Sequence, residues 1–253
     1  MLGIIGGSGL YRLPLLHNQR QLVVETPYGS PSSELTLLAP QVGGEAAGCF
    51  LARHGAEHSI PPHKINYRAN IQALVDLGAD RILAIHAVGS CKSEIAVGRL
   101  LLPTQIIDYS YSREQSFFDR LDSFSQHVDF SQPFSATLQD ALLEKARALD
   151  IPLSLGGTYA CTQGPRFETA AEIARIVADG GDLVGMTAMP EAALARERGI
   201  DYASLSIVVN PAAGIAAEEG GLEGIPAVLE QAALTAQKII AALLPDGALA
   251  DTC

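Results

Sequence analysis

The sequence contains no tryptophan, three methionines, and only 17 lysines and arginines against 28 aspartates and glutamates. The resulting formal net charge of −11 excludes a generic basic surface for nucleic acid or anionic membranes, so any phosphate site must be local. No apolar run approaches the roughly 18 residues of a membrane span. The opening MLGIIGGSGLY also lacks a basic region ahead of its apolar residues. A soluble, cytoplasmic protein is the expectation. The four cysteines, Cys49, Cys91, Cys161 and Cys253, are scattered, without a CxxC pair or a Cys/His spacing suited to metal. Neither a disulfide framework nor a metal site is expected.

What is present is core material. Hydrophobic residues make up 48% and charged residues 18%, too little polarity for disorder. A prior of about 150 residues per domain admits two domains, but 253 residues also suit a single α/β domain, taken here as residues 1–253. Apolar runs of strand length lie at Leu2–Ile5, Leu35–Ala39, Cys49–Ala52, Arg81–Val88, Leu100–Ile107, Leu183–Met186 and Tyr202–Val209. They are continuous rather than alternating, as in sheets buried on both faces. Between them, Asn66–Leu77, Ser135–Leu149, Thr169–Ala178, Glu191–Arg198 and Ala227–Leu244 read as helices. Ser135 suits an N-cap, and Leu138, Ala141, Leu142 and Leu149 share one helical face. The order predicts an α/β fold with a central sheet flanked by helices. Asp108–Phe134 is the longest irregular segment, and long ordered loops often carry sites or contacts.

Several strand ends carry chemistry. The first apolar run enters GGSGL, where Ser8 offers a hydroxyl to an anion and the glycines permit close approach. The spacing is neither that of a dinucleotide fingerprint nor that of a P-loop, and a plain structural turn fits equally. LARHG delivers Arg53 and His54 to a strand end. Arginine suits a bidentate contact with phosphate and histidine adds a donor, although a surface arginine and a capping histidine fit as well. GTYACTQGPRFE and VGMTAMPEA place further polar groups where open α/β sheets bind ligands.

Together GGSGL, TPYGSPS, LARHG, HKINYRANI, AVGS, QSFFD, QGPRFET, GMTAMPEAALARERGI and YASLSIVVN resemble the trimeric purine nucleoside phosphorylase and methylthioadenosine phosphorylase family, in the family's order from Leu2 to Asn210. The resemblance implies a nucleoside phosphorylase-like mixed sheet in a homotrimer. It also implies cleavage of a purine nucleoside by inorganic phosphate as co-substrate, without metal or organic cofactor. Charge develops as an oxocarbenium-like sugar and an anionic purine. Carried over by motif, Ser8, Arg53, His54, the Ala87 backbone and Thr187 face phosphate, and Met186 packs under the ribose. His86 stands where the family has Thr or Asn. It is expected at the phosphate, where its bulk or pH-dependent charge would alter the site.

The base and the 5′ end select the substrate. GPRFE puts Glu168 where the 6-oxopurine branch has its glutamate, and VVNPA puts Asn210 and Ala212 where the adenine branch has two aspartates. A carboxylate accepts a ring N–H and an amide donates to a carbonyl or the departing nitrogen, so Glu168 and Asn210 are expected to act in catalysis. Phe167 offers its face to the base. On spacing alone, Glu168 reads as readily as a first-turn residue ahead of TAAEIARIVA, and Asn210 as a turn start before Pro211. Where the family's nucleoside phosphorylases place a histidine near the 5′-hydroxyl, this chain has Ile225, Val228 and Leu229. That apolar lining favours a methylthio group. His127 matches a histidine that closes the pocket from the neighbouring subunit, or else is a solvated loop residue.

The expectation is phosphorolysis of 5′-methylthioinosine to hypoxanthine and 5-methylthioribose 1-phosphate. The alternatives are a methylthioadenosine phosphorylase with remodelled adenine contacts, a broad inosine/guanosine phosphorylase, a hydrolytic nucleosidase, and a catalytically silent nucleoside-binding scaffold.

Overall fold

The structure is a computed structural model that describes residues 1–7, 9–10, 16, 19–38, 46–216 and 222–244. It is built on one eleven-stranded sheet. In chain order the strands are β1 (Leu2–Gly6), β2 (Arg20–Leu22), β3 (Leu35–Leu38), β4 (Gly48–Ala52), β5 (Arg81–Ser90), β6 (Leu100–Leu102), β7 (Gln105–Asp108), β8 (Leu153–Leu155), β9 (Thr158–Cys161), β10 (Leu183–Gly185) and β11 (Asp201–Pro211). Among the described residues five α-helices cover them: α1 (Tyr67–Asp76), α2 (Ala136–Ala148), α3 (Ala170–Ala178), α4 (Glu191–Glu197) and α5 (Ile225–Leu243). The expected α/β architecture with a mixed sheet is what forms.

β5 is the axis of the sheet. One edge pairs with the parallel β11 from Arg81 to Ser90. The other edge pairs first with β1, parallel, and at its far end with β10, antiparallel. Because successive side chains alternate across a strand, the continuous apolar runs feed two cores. Leu83, Ile85, Leu205 and Ile207 join α2 and α5 on one face. Ile82, Ala84 and Val208 join α1 and α4 on the other. This double burial is why the strands read as unbroken hydrophobic sequence.

Helix boundaries follow capping chemistry. The side chains of Asn66, Ser135 and Thr169 accept from the backbone N–H of Ala69, Leu138 and Glu172 respectively, satisfying first-turn donors. α5 begins two residues earlier than its sequence pattern suggests, with Pro226 in its first turn, where a missing N–H costs nothing. Two expectations change. The apolar stretch Leu100–Ile107 breaks at Pro103 into β6 and β7, since proline lacks a ladder donor. Leu149 ends α2 as a C-cap, 42% exposed, and Ala146 takes its place on the buried face.

Candidate active site

β1 accompanies β5 only as far as Ile5 opposite Ala84, and β10 reaches β5 only at Val184 opposite Gly89. Between them a cavity of about 570 Å³ opens at the strand ends, within the range of small-molecule sites. Its lining includes Arg53, His54, Ala87, Phe167, Glu168, Met186, Thr187, Asn210, Ala212 and Ile225. These sequence-derived residues, together with Leu229, are therefore brought to one place. Ser8 lies outside the described residues.

Arg53 follows β4 and is 1% exposed. Nη1 donates to the Ile85 carbonyl at 2.9 Å, on the stretch of β5 that β1 no longer accompanies. Nε and Nη2 donate to the two oxygens of Glu191 at 2.7 and 2.9 Å. Nη2 also lies 3.2 Å from Nε2 of His86. A guanidinium only donates, so that imidazole nitrogen accepts and His86 carries its proton on Nδ1, which donates to Ser204 Oγ at 2.9 Å. Nε, Nη2 and half of Nη1 are thus committed among the described residues, leaving one N–H on Nη1. A Cβ at Gly7 would lie 3.1 Å from Nη1 and from the Ile85 oxygen, so glycine there keeps that N–H approachable. The expected bidentate grip on phosphate is corrected by this geometry. Glu191, wholly buried and also accepting from the Tyr202 hydroxyl at 2.8 Å, takes the fork.

His86 is corrected with it. Its side chain is 1% exposed and absent from the cavity lining, so it stands behind Arg53 rather than on the cavity wall where it was expected. Ala87, the next residue on β5, is at the cavity wall. Burial works against charge on Arg53, but the Glu191 carboxylate outweighs it and the guanidinium pKa stands above its ordinary value. Burial first, and Arg53's charge second, hold His86 well below an ordinary histidine and bring His54 down to about 4. His54 donates from Nδ1 to the Ile60 carbonyl at 2.8 Å.

This predicts acid sensitivity. Both histidines are neutral in the folded protein, whereas in the unfolded chain they take up protons below their ordinary value of 6.5. Their contribution is intact above that value and is lost as the pH falls towards about 4. Melting temperature should fall across this window, and more shallowly in His86→Thr. An equal slope in the variant would remove His86 from the account.

At the base end a β-bulge sets the geometry. Val208 pairs with Val88 and Asn210 with Gly89, leaving Val209 as the extra residue. Bulges re-aim side chains, and here both Val209 and Asn210 reach the cavity. Asn210 Nδ2 donates to the Pro211 carbonyl at 2.7 Å, which fixes the amide and leaves its second N–H. A Cβ at Gly89 would come within 3.1 Å of Val184 and 3.6 Å of Asn210 Nδ2, so a larger residue would crowd this corner. Glu168 precedes α3 rather than entering it. Thr169 is the N-cap and Glu172 the first-turn acid, in a reciprocal capping box. Glu168 is free to face the cavity, where its Oε1 accepts from the Thr162 hydroxyl at 2.6 Å.

At the opposite end Ile225 and Leu229 form an apolar wall from α5. Val228 faces a separate shallow cleft with Val97 and Arg99, correcting its expected place. Residues four apart on a helix share a face, and the 225/229 pair is the one used. His127 is exposed on the irregular segment, its ring 5.3 Å from that of Phe124, and does not line the cavity of its own chain. Glu191, Tyr202, Thr162 and the His58–Pro62 wall are contributions that the sequence reading did not name. Only Glu191 left a signal, since a buried arginine requires a carboxylate. Among the described residues no group of three or more His, Cys, Asp or Glu side chains could hold a metal ion. Nor is any described helix long and apolar enough to cross a membrane.

The chain is similar to known proteins over most of its length. The model of the phosphorylase superfamily matches residues 1–245. A protein of Xanthomonas campestris pv. campestris, described as a probable S-methyl-5′-thioinosine phosphorylase, is 49% identical over 213 residues, covering 84% of each chain. The 6-oxopurine nucleoside phosphorylase of Pyrococcus furiosus is 45% identical over 249 residues, 96% of this chain and 92% of its own. Among solved structures, methylthioadenosine phosphorylase from Schistosoma mansoni in complex with adenine superimposes with a TM-score of 0.84 at 33% identity, covering 94% of this chain and 89% of that one.

Proposed function

This chain belongs to the phosphorylase superfamily and splits a purine nucleoside with inorganic phosphate into a free purine and a sugar phosphate; on that premise we propose that the base it accepts is a 6-oxopurine. The observation that carries the reading is the Thr162 hydroxyl donating to Glu168. A carboxylate held by a donor is an acceptor for the ring N–H of hypoxanthine or guanine, and it opposes the bare ring nitrogen of adenine. Asn210 complements it with an N–H for the base. Two reversed pairings at about 1–3 kcal/mol each amount to discrimination of several powers of ten.

In this reading Arg53, Thr187 and the Ala87 backbone, all on the cavity wall, receive phosphate, and Met186 lies beside the sugar. As the glycosidic bond breaks, Asn210 supports negative charge on the purine while the phosphate oxygens meet the cationic sugar. Inosine and 5′-methylthioinosine share the same base. The wall of Ile225 and Leu229 favours the thioether, because a 5′-hydroxyl there would lose water without a partner. We further assign the exposed Phe124–His127 pair to the neighbouring subunit's 5′ pocket in a homotrimer, which light scattering tests by mass.

The test is kcat/KM, with phosphate, for 5′-methylthioinosine, inosine and 5′-methylthioadenosine. Both hypoxanthine nucleosides should exceed the adenine nucleoside by at least about a hundredfold, with the thioether first. Preference for the adenine nucleoside overturns the base assignment. Preference for inosine overturns only the 5′ assignment.

A further inference from the structure

We propose that Arg113 is a positioning residue that sets the distance between the base-binding and phosphate-binding walls of this site. It sits in the irregular segment between β7 and α2, far in sequence from every residue that faces the cavity. Ser112 just before it has φ 54°, a left-handed turn that is uncommon outside glycine. After that turn the guanidinium reaches the ends of β9 and β10.

Its hydrogen bonds join those two ends. Nη2 donates to the carbonyls of Thr162 and Gln163 at 3.1 and 2.8 Å. Nη1 donates to the carbonyls of Met186 and Met189 at 2.9 and 2.5 Å, with the Tyr67 hydroxyl of α1 at 3.2 Å. Nε donates to Gln163 Oε1 at 3.1 Å, and the group lies 5.6 Å over the Tyr67 ring. Among the described residues none of these bonds goes to a carboxylate. The cation is held by carbonyl dipoles, an amide and a phenol, which is no arrangement for surface solubility.

The residues it fixes are the ones the chemistry uses. Thr162, whose carbonyl it takes, holds Glu168 with its hydroxyl. Met186 and Met189 bracket Thr187, and the same chain continues through Pro190 into Glu191, which holds Arg53. One planar group thus joins the segment carrying the base contact to the segment carrying the sugar contact, a phosphate contact and the Arg53 anchor. A nucleoside and a phosphate react only when both are held to within a fraction of an ångström, and a 1 Å error costs about a hundredfold. Lysine keeps the charge but concentrates three donors at one point, too few and too close together to serve the six acceptors that the guanidinium reaches across both segments.

Arg113→Ala and Arg113→Lys test this against Arg166→Ala, which removes an exposed arginine paired, among the described residues, with Glu172 and the Phe167 carbonyl. The expected result is a loss in kcat/KM of about a hundredfold in both Arg113 variants. The loss should be equal for inosine, 5′-methylthioinosine and 5′-methylthioadenosine, so the reading holds whichever nucleoside proves best. Guanidinium ion at tens of millimolar should restore at least tenfold of the Arg113→Ala loss, whereas sodium chloride should not, and Arg166→Ala should not respond. Wild-type kcat/KM in either Arg113 variant, or rescue by sodium chloride alike, overturns the proposal. If Arg113→Ala does not fold, the lysine variant decides alone. Full activity refutes the proposal, and a hundredfold loss with a melting temperature near wild type supports it.

Discussion

Glu191→Ala is expected to destabilise the protein by about 3–5 kcal/mol, the cost of leaving one partner of a buried pair uncompensated. Arg53 is 1% exposed and Glu191 fully buried, so water meets the guanidinium only from the cavity that Arg53 lines, away from the paired carboxylate. Two of its bonds, at 2.7 and 2.9 Å, go to the lost carboxylate. The Tyr202 hydroxyl loses its acceptor in the same change. His86 would remain as a neutral acceptor, which does nothing for the charge. Glu191→Gln retains one oxygen and should lose less. Urea unfolding at pH 7 measures both. A loss below about 1 kcal/mol, the range of an exposed pair, would show that the ion pair is not closed to solvent. In the same variant the fork is released, and the KM for phosphate should change with it. Added phosphate should recover part of the stability, because an oxyanion in the cavity is then the nearest counter-charge.

The other large effect falls on the chemical step. Asn210→Ala should lower kcat by about 10²–10³, the usual consequence of removing one preorganised donor from a site where charge develops. KM should change little, since the contact strengthens as the purine departs. The amide is already fixed by its 2.7 Å bond to Pro211 and needs no reorganisation. Single-turnover kinetics with a 6-oxopurine nucleoside isolates the step. An unchanged rate there would remove Asn210 from the chemistry and leave the bulge a matter of packing.

Much of the architecture was legible because the strands are buried on both faces, so that β1, β4, β5 and β11 appear as apolar runs. The short strands were not. Arg20–Leu22 carries two exposed polar residues, while Leu153–Leu155 and Thr158–Cys161 are too brief for a pattern. Among site residues, those at strand ends could be read from local sequence together with the family resemblance. What could not be read were partnerships across the chain: Arg53 with Glu191, 138 positions away, and Arg113 with Met189, 76 away. His86 shows the same limit. Its neighbour Ala87 lines the cavity, and the alternation of one strand decides which of the two faces the ligand. Val228 and Leu229 differ in the same way by one step around a helix.

An arginine with a single hydrogen left to give holds an oxyanion loosely. The sugar phosphate made here carries phosphate oxygens like those of the reactant, and a guanidinium open at both teeth would grip the two alike. Such even-handed binding adds nothing to the rate once the site is filled, and it slows the departure that often limits turnover. By committing its fork to Glu191, Arg53 gives up part of that grip. On the proposed assignment of phosphate to Arg53, a fork held by Glu191 is expected to shorten the time that product lingers.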